Sequence, residues 1–254
     1  MHLLKQTISK ISEKSVPVID EDFIFAELDH LRAHVKIAVN KRAKRLALRL
    51  DSKDRKIRFT IPPRCPIKKA RLFLLQNESW VLGNIDKLPP LIPLTHGQII
   101  PVFGHDRRIN ISYKITLKRT DITLNKKEII IKTNKDDPTP RLVRFLKKEA
   151  EKELTRLTKE KAAQIDKTVA AVQVRDTKSR WGSCGHDSKI SFSWRLIFAP
   201  HTVLDYVVAH EVAHLQHMDH SRAFWACCKS LCEDYTYGKS WLHENGNELM
   251  RYDA

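Results

Sequence analysis

His210-Glu211-Val212-Ala213-His214, followed six residues later by His220, is the stretch on which the reading of this chain turns. On a helix, residues four apart share a face and lie one turn apart, so the imidazoles of His210 and His214 can converge on one ion. Zinc suits imidazole nitrogen, at bonds of ~2.0–2.1 Å, and a hydrolytic site keeps one coordination position open for water. Glu211 stands where it can take a proton from that water. The surrounding run is apolar (Val203, Leu204, Val207, Val208, Val212, Leu215), and three ionisable residues inside it are costly without such a task. This is the zincin signature, and it predicts one zinc ion per chain.

The third ligand is a question of reach. His217 lies seven residues beyond His210, which on a continuous helix is ~10.5 Å along the axis. Two imidazoles so far apart cannot share an ion at ~2 Å bonds. The helix must therefore end and the chain turn back. Met218-Asp219 is the expected place, because Asp tolerates left-handed geometry better than most residues. His220 then returns to the metal, ahead of the outsiders Glu233, Glu244 and Glu248. The spacing from His210 to His220 matches the metzincin pattern, but His217 stands at its glycine position and no clear methionine turn follows.

Working outward, Thr202 is a natural N-cap for the metal helix, with Asp205 favourable in its first turn. Val169–Val174 and Ile190–Trp194 read as strands before it, and helices over 221–233 and 239–249 follow it. Upstream, Asp136-Asp137-Pro138-Thr139-Pro140 is the best candidate boundary. Thr139 caps, and Pro140 opens, a helix over 140–164 with Leu142, Leu146, Ala150, Leu154 and Leu157 on one face. Before that boundary, alternation at 35–39, 46–50 and 57–61 reads as three short strands forming hairpins. A helix over 67–85 follows, then strand-like stretches at 99–103, 108–113, 114–117 and 128–132. The fold class expected is α+β. Residues 1–31 are a loosely packed leader, 32–137 a β-rich N-terminal subdomain with a packed helix, and 138–254 a catalytic α+β subdomain.

The formal charge of +16 is unevenly spread: residues 1–31 carry −3, 32–200 carry +23 and 201–254 carry −4. A positive field of this size attracts phosphates, although no aromatic-interleaved basic motif accompanies it. Five unevenly spaced cysteines suggest no disulfide framework and favour a reducing cytoplasm. No run of 18 apolar residues is present and the N-terminus lacks an apolar h-region, so neither a membrane span nor a signal peptide is expected.

Several stretches together resemble the YgjP-like family of bacterial zinc metallopeptidases. They are Arg180-Trp181-Gly182-Ser183-Cys184, Trp194-Arg195-Leu196-Ile197-Phe198-Ala199-Pro200 and Asp205 through Leu215. His220-Ser221 with Phe224-Trp225, and Trp241-Leu242 before Asn245-Gly246, complete the set. The resemblance covers roughly 32–250. It implies a zincin-like catalytic half related to the SprT and WLM peptidase groups, with zinc on His210, His214 and His220 and with Glu211 as the catalytic glutamate. Family members are described mostly as metallopeptidases, and one branch as a UTP pyrophosphatase.

Within the Trp-Gly-Ser-Cys segment, Gly182 allows a tight bend or a close backbone approach. Arg180 binds an anionic group or pairs with a core carboxylate. Cys184 beside three histidines would close the site, so the segment reads as mainly structural. Cys227, Cys228 and Cys232 read as helix packing.

Zinc-dependent hydrolysis of a polypeptide is the leading expectation, with Arg180, Tyr235, Tyr237 and His243 as unranked candidates to bind substrate or the oxyanion. One rival is metal-dependent hydrolysis of a nucleotide such as UTP, with Mg or Mn in place of zinc. The lack of carboxylate clusters counts against it. The other is a nucleic-acid-associated protease or binding module working through the basic region 32–200.

Overall fold

The computed structural model describes residues 19–177 and 180–253 of the chain. The protein is α+β and divides into two compact units, Met1–Leu88 and Pro89–Ala254.

In the first unit, two short helices, α1 (Glu21–Phe25) and α2 (Asp29–Arg32), precede the strands β1 (Val35–Val39), β2 (Ala47–Asp51) and β3 (Lys56–Ile61). Asp20 caps α1 by accepting the Phe23 N–H at 3.0 Å. Ile24, Phe25, Leu28 and Leu31 are buried with Ile57, Phe59 and Ile61. Over its described part, the stretch expected to be a loose leader is therefore part of this core. Its four apolar positions recur at helical spacing, and burying them offsets the entropy of ordering the segment. The remainder, 1–18, lies outside the described residues. The sheet order is β1-β3-β2, with β2 antiparallel and β1 parallel to β3. Only the second connection is thus a hairpin, where two were expected. The helix expected over 67–85 is two, α3 (Ile67–Gln76) and α4 (Glu78–Asp86), broken at Asn77, whose side chain donates to the Phe73 carbonyl.

The second unit begins with β4 (Ile92–Pro93), β5 (Ile99–Val102), β6 (His105–Tyr113), β7 (Asp121–Leu124) and β8 (Glu128–Thr133). The last four form one sheet in the order β5-β6-β8-β7. Lys114 to Leu117, expected as a strand, is instead a turn before β7. A tight turn joins β5 to β6, with Phe103 and Gly104 both at positive φ, 54° and 81°. Positive φ at both central residues is what a two-residue hairpin turn requires.

Helix α5 (Thr139–Gln164) then crosses the unit. Its cap is Pro138, and the Thr139 N–H bonds to Asp137, so Thr139 is the first helical residue rather than the cap. Leu142, Leu146, Ala150 and Leu154 are fully buried in one core with the sheet residues Ile109, Ile129 and Ile131 and with the apolar residues of the helix over His201–Ala213. That shared core explains why the expected boundary at 137/138 is not where the units divide. The proline cluster there only starts a helix, and the division falls before Pro89-Pro90, between two separate cores.

After α5 come β9 (Ala171–Arg175), β10 (Gly182–Cys184) and β11 (Lys189–Ser193), in the sheet order β10-β11-β9. Trp194–Phe198 is a buried 3-10 turn, within which Arg195 donates to the Tyr252 carbonyl and to Asp176. Helix α6 (His201–Ala213) follows, with Pro200 at its cap where Thr202 was expected. Helices α7 (Arg222–Leu231) and α8 (Tyr235–Asn245), a 3-10 turn over Gly246–Met250 and β12 (Tyr252–Asp253), paired with β4, complete the unit. A Cβ on Gly238 of α8 would lie 2.4 Å from the Tyr206 Cβ, so glycine there lets α8 rest directly on α6. No helix among the described residues is long and apolar enough to cross a membrane.

Candidate metal centre

Helix α6 is the central element of the site because it packs on α5, α7, α8 and β10 at once. Val203, Leu204, Val207, Val208, Ala209, Val212 and Ala213 are all buried, which fixes the helix in place. His210 and His214 then project one turn apart from its C-terminal end. The helix stops at Ala213, with His214 as its cap, earlier than the expected Met218-Asp219. The Gln216 and His217 N–H groups both turn back to the Ala213 carbonyl, at 3.1 and 3.0 Å. Asp219 does not adopt positive φ among the described residues; it accepts the Ser221 N–H instead. Ser221 in turn caps α7 through the Phe224 N–H. This pair of turns carries His220 back over α6.

The result is a cluster in which one ligand nitrogen each from His210, His214 and His220 lie within 4.8 Å of one another. The Nε2 atoms of His210 and His220 stand 3.2 Å apart. His217 takes no part through its ring; its carbonyl accepts a hydrogen bond from His214 Nδ1 at 3.0 Å. That bond places the His214 proton on Nδ1 and leaves Nε2 with a free lone pair, the arrangement that orients histidine ligands. The buried Phe224 ring lies 4.5–4.9 Å from all three imidazole centroids and forms the apolar floor of the cluster.

Burial lowers the pKa of His210 to about 4, assisted by the neighbouring His214, His220 and Lys239. Burial also lowers that of His214, with its bond to the His217 carbonyl acting the other way. Neutral imidazoles at neutral pH are the form that donates a lone pair. The His210 Nδ1 is buried without a hydrogen-bond partner among the described residues. Three imidazole nitrogens converging within 4.8 Å form a donor set that fits a borderline cation such as zinc.

Glu211, next to His210 and so about 100° around the helix from it, packs its side chain against Gly182 of the edge strand β10. It is 6% exposed, and burial raises its pKa to about 7 against the opposing pull of Arg180 and of a backbone hydrogen bond at Cys184. The room for its carboxyl group comes from Gly182. A Cβ there would sit 2.4 Å from Glu211 Oε1 and 2.5 Å from its Cγ. Of the two uses foreseen for Gly182, close approach is thus the one realised. Cys184 remains outside the cluster; burial, then Glu211 and Asp187, push its thiol up to about 11. Cys228 and Cys232 are buried, and all five cysteines are free thiols.

Beside the cluster lies a cleft of about 790 Å³, lined by Trp181, Tyr206, Trp225, Tyr235, Lys239 and His243 among others. Tyr206 and Trp225 also flank His210, at ring centroid distances of 5.9 and 5.7 Å. Of the residues proposed from sequence to bind substrate, Tyr235 and His243 line this cleft. Tyr237 does not and is half exposed, while Arg180 is exposed near Glu211. Tyr206, Trp181, Trp225 and Lys239 were not singled out from sequence as parts of the site. Tyr206 carried a usable signal, since it precedes His210 by four residues and so shares its helical face. Lys239 and Trp181 carried none, because their place depends on how α8 and β10 pack.

A family model described as YgjP-like, metallopeptidase domain, matches residues 44–245. No curated protein and no solved structure matches the chain.

Proposed function

Because the chain belongs to the YgjP-like metallopeptidase family, we propose that it hydrolyses peptide bonds using one zinc ion held by His210, His214 and His220, with Glu211 as general base. The observation that carries this reading is the convergence of three imidazole nitrogens within 4.8 Å, beside a buried carboxyl group. When bound, zinc supplies Lewis-acid polarisation of the scissile carbonyl and lowers the pKa of water toward ~7.

The protein's own residues do the rest. Glu211 accepts a proton from the attacking water and returns it to the leaving amine. Gly182 and the backbone at Cys184 hold the Glu211 carboxyl group in a fixed orientation. His217 keeps His214 in the tautomer that presents Nε2. Phe224 excludes water from behind the imidazoles. Tyr235 and His243 are the candidates for oxyanion donor that share the adjacent cleft.

Metal analysis of purified wild type beside His220→Ala and His217→Ala tests the ligand set. Wild type and the His217 variant should retain one zinc per chain, and the His220 variant should lose it. Glu211→Gln should keep zinc while losing turnover of an unfolded protein substrate. Zinc retained in His220→Ala, or activity retained in Glu211→Gln, would overturn the assignment.

A further inference from the structure

We infer that the cleft beside the histidine cluster selects substrates bearing a carboxylate, and that Lys239 is the residue that reads it. The inference rests on the peptidase reading above and names the substrate chemistry of the same site.

Residues 201–254 carry a net charge of −4, yet among the described residues the cleft that this segment mostly builds has no carboxylate in its lining. Among the described residues its one fixed cation is Lys239, in the second turn of α8. Lys239 has no carboxylate partner among the described residues; its Nζ lies 4.5 Å from the centre of the Trp225 ring. A cation over an indole face is held in place without being neutralised. The side chain is exposed, so its remaining donors face solvent in the cleft.

Trp225 is also the residue that links the cleft to the cluster, 5.7 Å from His210 and 6.0 Å from His220. A substrate whose scissile bond lies at the cluster therefore has neighbouring atoms in reach of this ammonium group. The walls around it, Trp181, Tyr206 and Tyr235, are aromatic and offer apolar surface to the carbon atoms that carry the charge.

One carboxylate chemistry has two sources in a peptide, an Asp or Glu side chain near the scissile bond or the C-terminal carboxylate itself. Zinc-loaded protein is given a set of unstructured quenched-fluorescence peptides. These carry Glu, Gln or Lys at single positions on either side of the cleaved bond, each with a free or an amidated C-terminus. Wild type should favour one carboxylate over its neutral counterpart by about tenfold in kcat/KM, as expected for a charge-assisted contact. A Glu-for-Gln preference assigns the side chain; a free-over-amidated preference assigns the terminus. Lys239→Glu should reverse the ranking toward Lys peptides and Lys239→Met should flatten it, both at unchanged zinc content.

Binding of the same peptides to the Glu211→Gln protein, followed by tryptophan fluorescence, reads the preference without any turnover. If no peptide is cleaved but the carboxylate preference in binding persists and depends on Lys239, the peptidase reading fails and this inference stands. An unchanged ranking in Lys239→Glu, in cleavage or in binding, would overturn it.

Discussion

Gly182→Ala is the substitution that most sharply tests how Glu211, the proposed general base, is placed. The added Cβ would lie 2.4 Å from Glu211 Oε1, 2.5 Å from Cγ and 2.7 Å from Cδ, where ordinary contact begins at 3.4 Å. The Glu211 carboxyl group must therefore retreat by about 1 Å. It is 6% exposed and borne on a helix buried on several sides, so it escapes by rotating its own side chain rather than by moving α6. The glycine is not at positive φ, so alanine is conformationally permitted and the collision is the only perturbation. A 1 Å misplacement of a reacting group costs roughly 10²-fold in rate. Overpacking of the buried site costs about 1–3 kcal/mol of stability. The assay is kcat/KM on an unfolded protein substrate, with zinc content and the urea midpoint measured on the same preparation. Zinc should remain at one per chain, because the three atoms nearest the added Cβ all belong to Glu211 and none to a histidine. A folded, zinc-loaded Gly182→Ala enzyme with wild-type kcat/KM would refute the claim that β10 positions Glu211.

Two further predictions concern stability. Lys161 of α5 is nearly buried and donates to Asp205 of α6 at 2.7 Å and to the Leu231 carbonyl of α7 at 2.6 Å. Lys161→Ala removes the donor to the Leu231 carbonyl and leaves Asp205, 26% exposed, to solvent and the Cys232 thiol. It should cost about 2 kcal/mol by urea denaturation, and a loss below about 0.5 kcal/mol would show the pair to be dispensable. Glu153 is held at about 2, chiefly by Arg156 and with help from His201, against the opposing effect of burial. A carboxylate whose folded pKa is depressed contributes stability that is present above its unfolded value of ~4.3 and lost as pH falls through the folded value. Glu153→Gln should accordingly flatten the decline in stability between about pH 4.5 and 2, and an identical acid profile in wild type and variant would remove Glu153 from the explanation.

Local chemistry was legible along the chain wherever a pattern is confined to one element. The strands at Val35–Val39 and Lys56–Ile61, the long leucine face of α5 and the four-residue spacing of His210 and His214 all follow from side-chain periodicity, which needs no knowledge of neighbours. That His217 and His210 cannot share an ion from one continuous helix is local in the same way, since helical rise alone sets their separation. The division of the chain was not legible. Proline clusters look alike whether they separate two cores, as before Pro89-Pro90, or merely start a helix, as at Pro138 and Pro140. Which strands share a core depends on burial against α5, and that is a long-range property. The Ala47 and Lys56 strands pair as a hairpin, but β1 reaches β3 in parallel, and no local signal distinguishes the two.

The opening stretch divides in the same way. From sequence alone, His210, Glu211 and His214 declare a metal helix, because spacing and residue chemistry are properties of consecutive residues. Tertiary structure decided what stands around it: His220 returned by the turns at Ala213 and Asp219, Phe224 beneath three imidazoles, Gly182 yielding space to Glu211, and Lys239 on Trp225 at the cleft. Each of these pairs residues that no helical or strand period relates, so only the packing of α6 against β10, α7 and α8 brings them within contact distance.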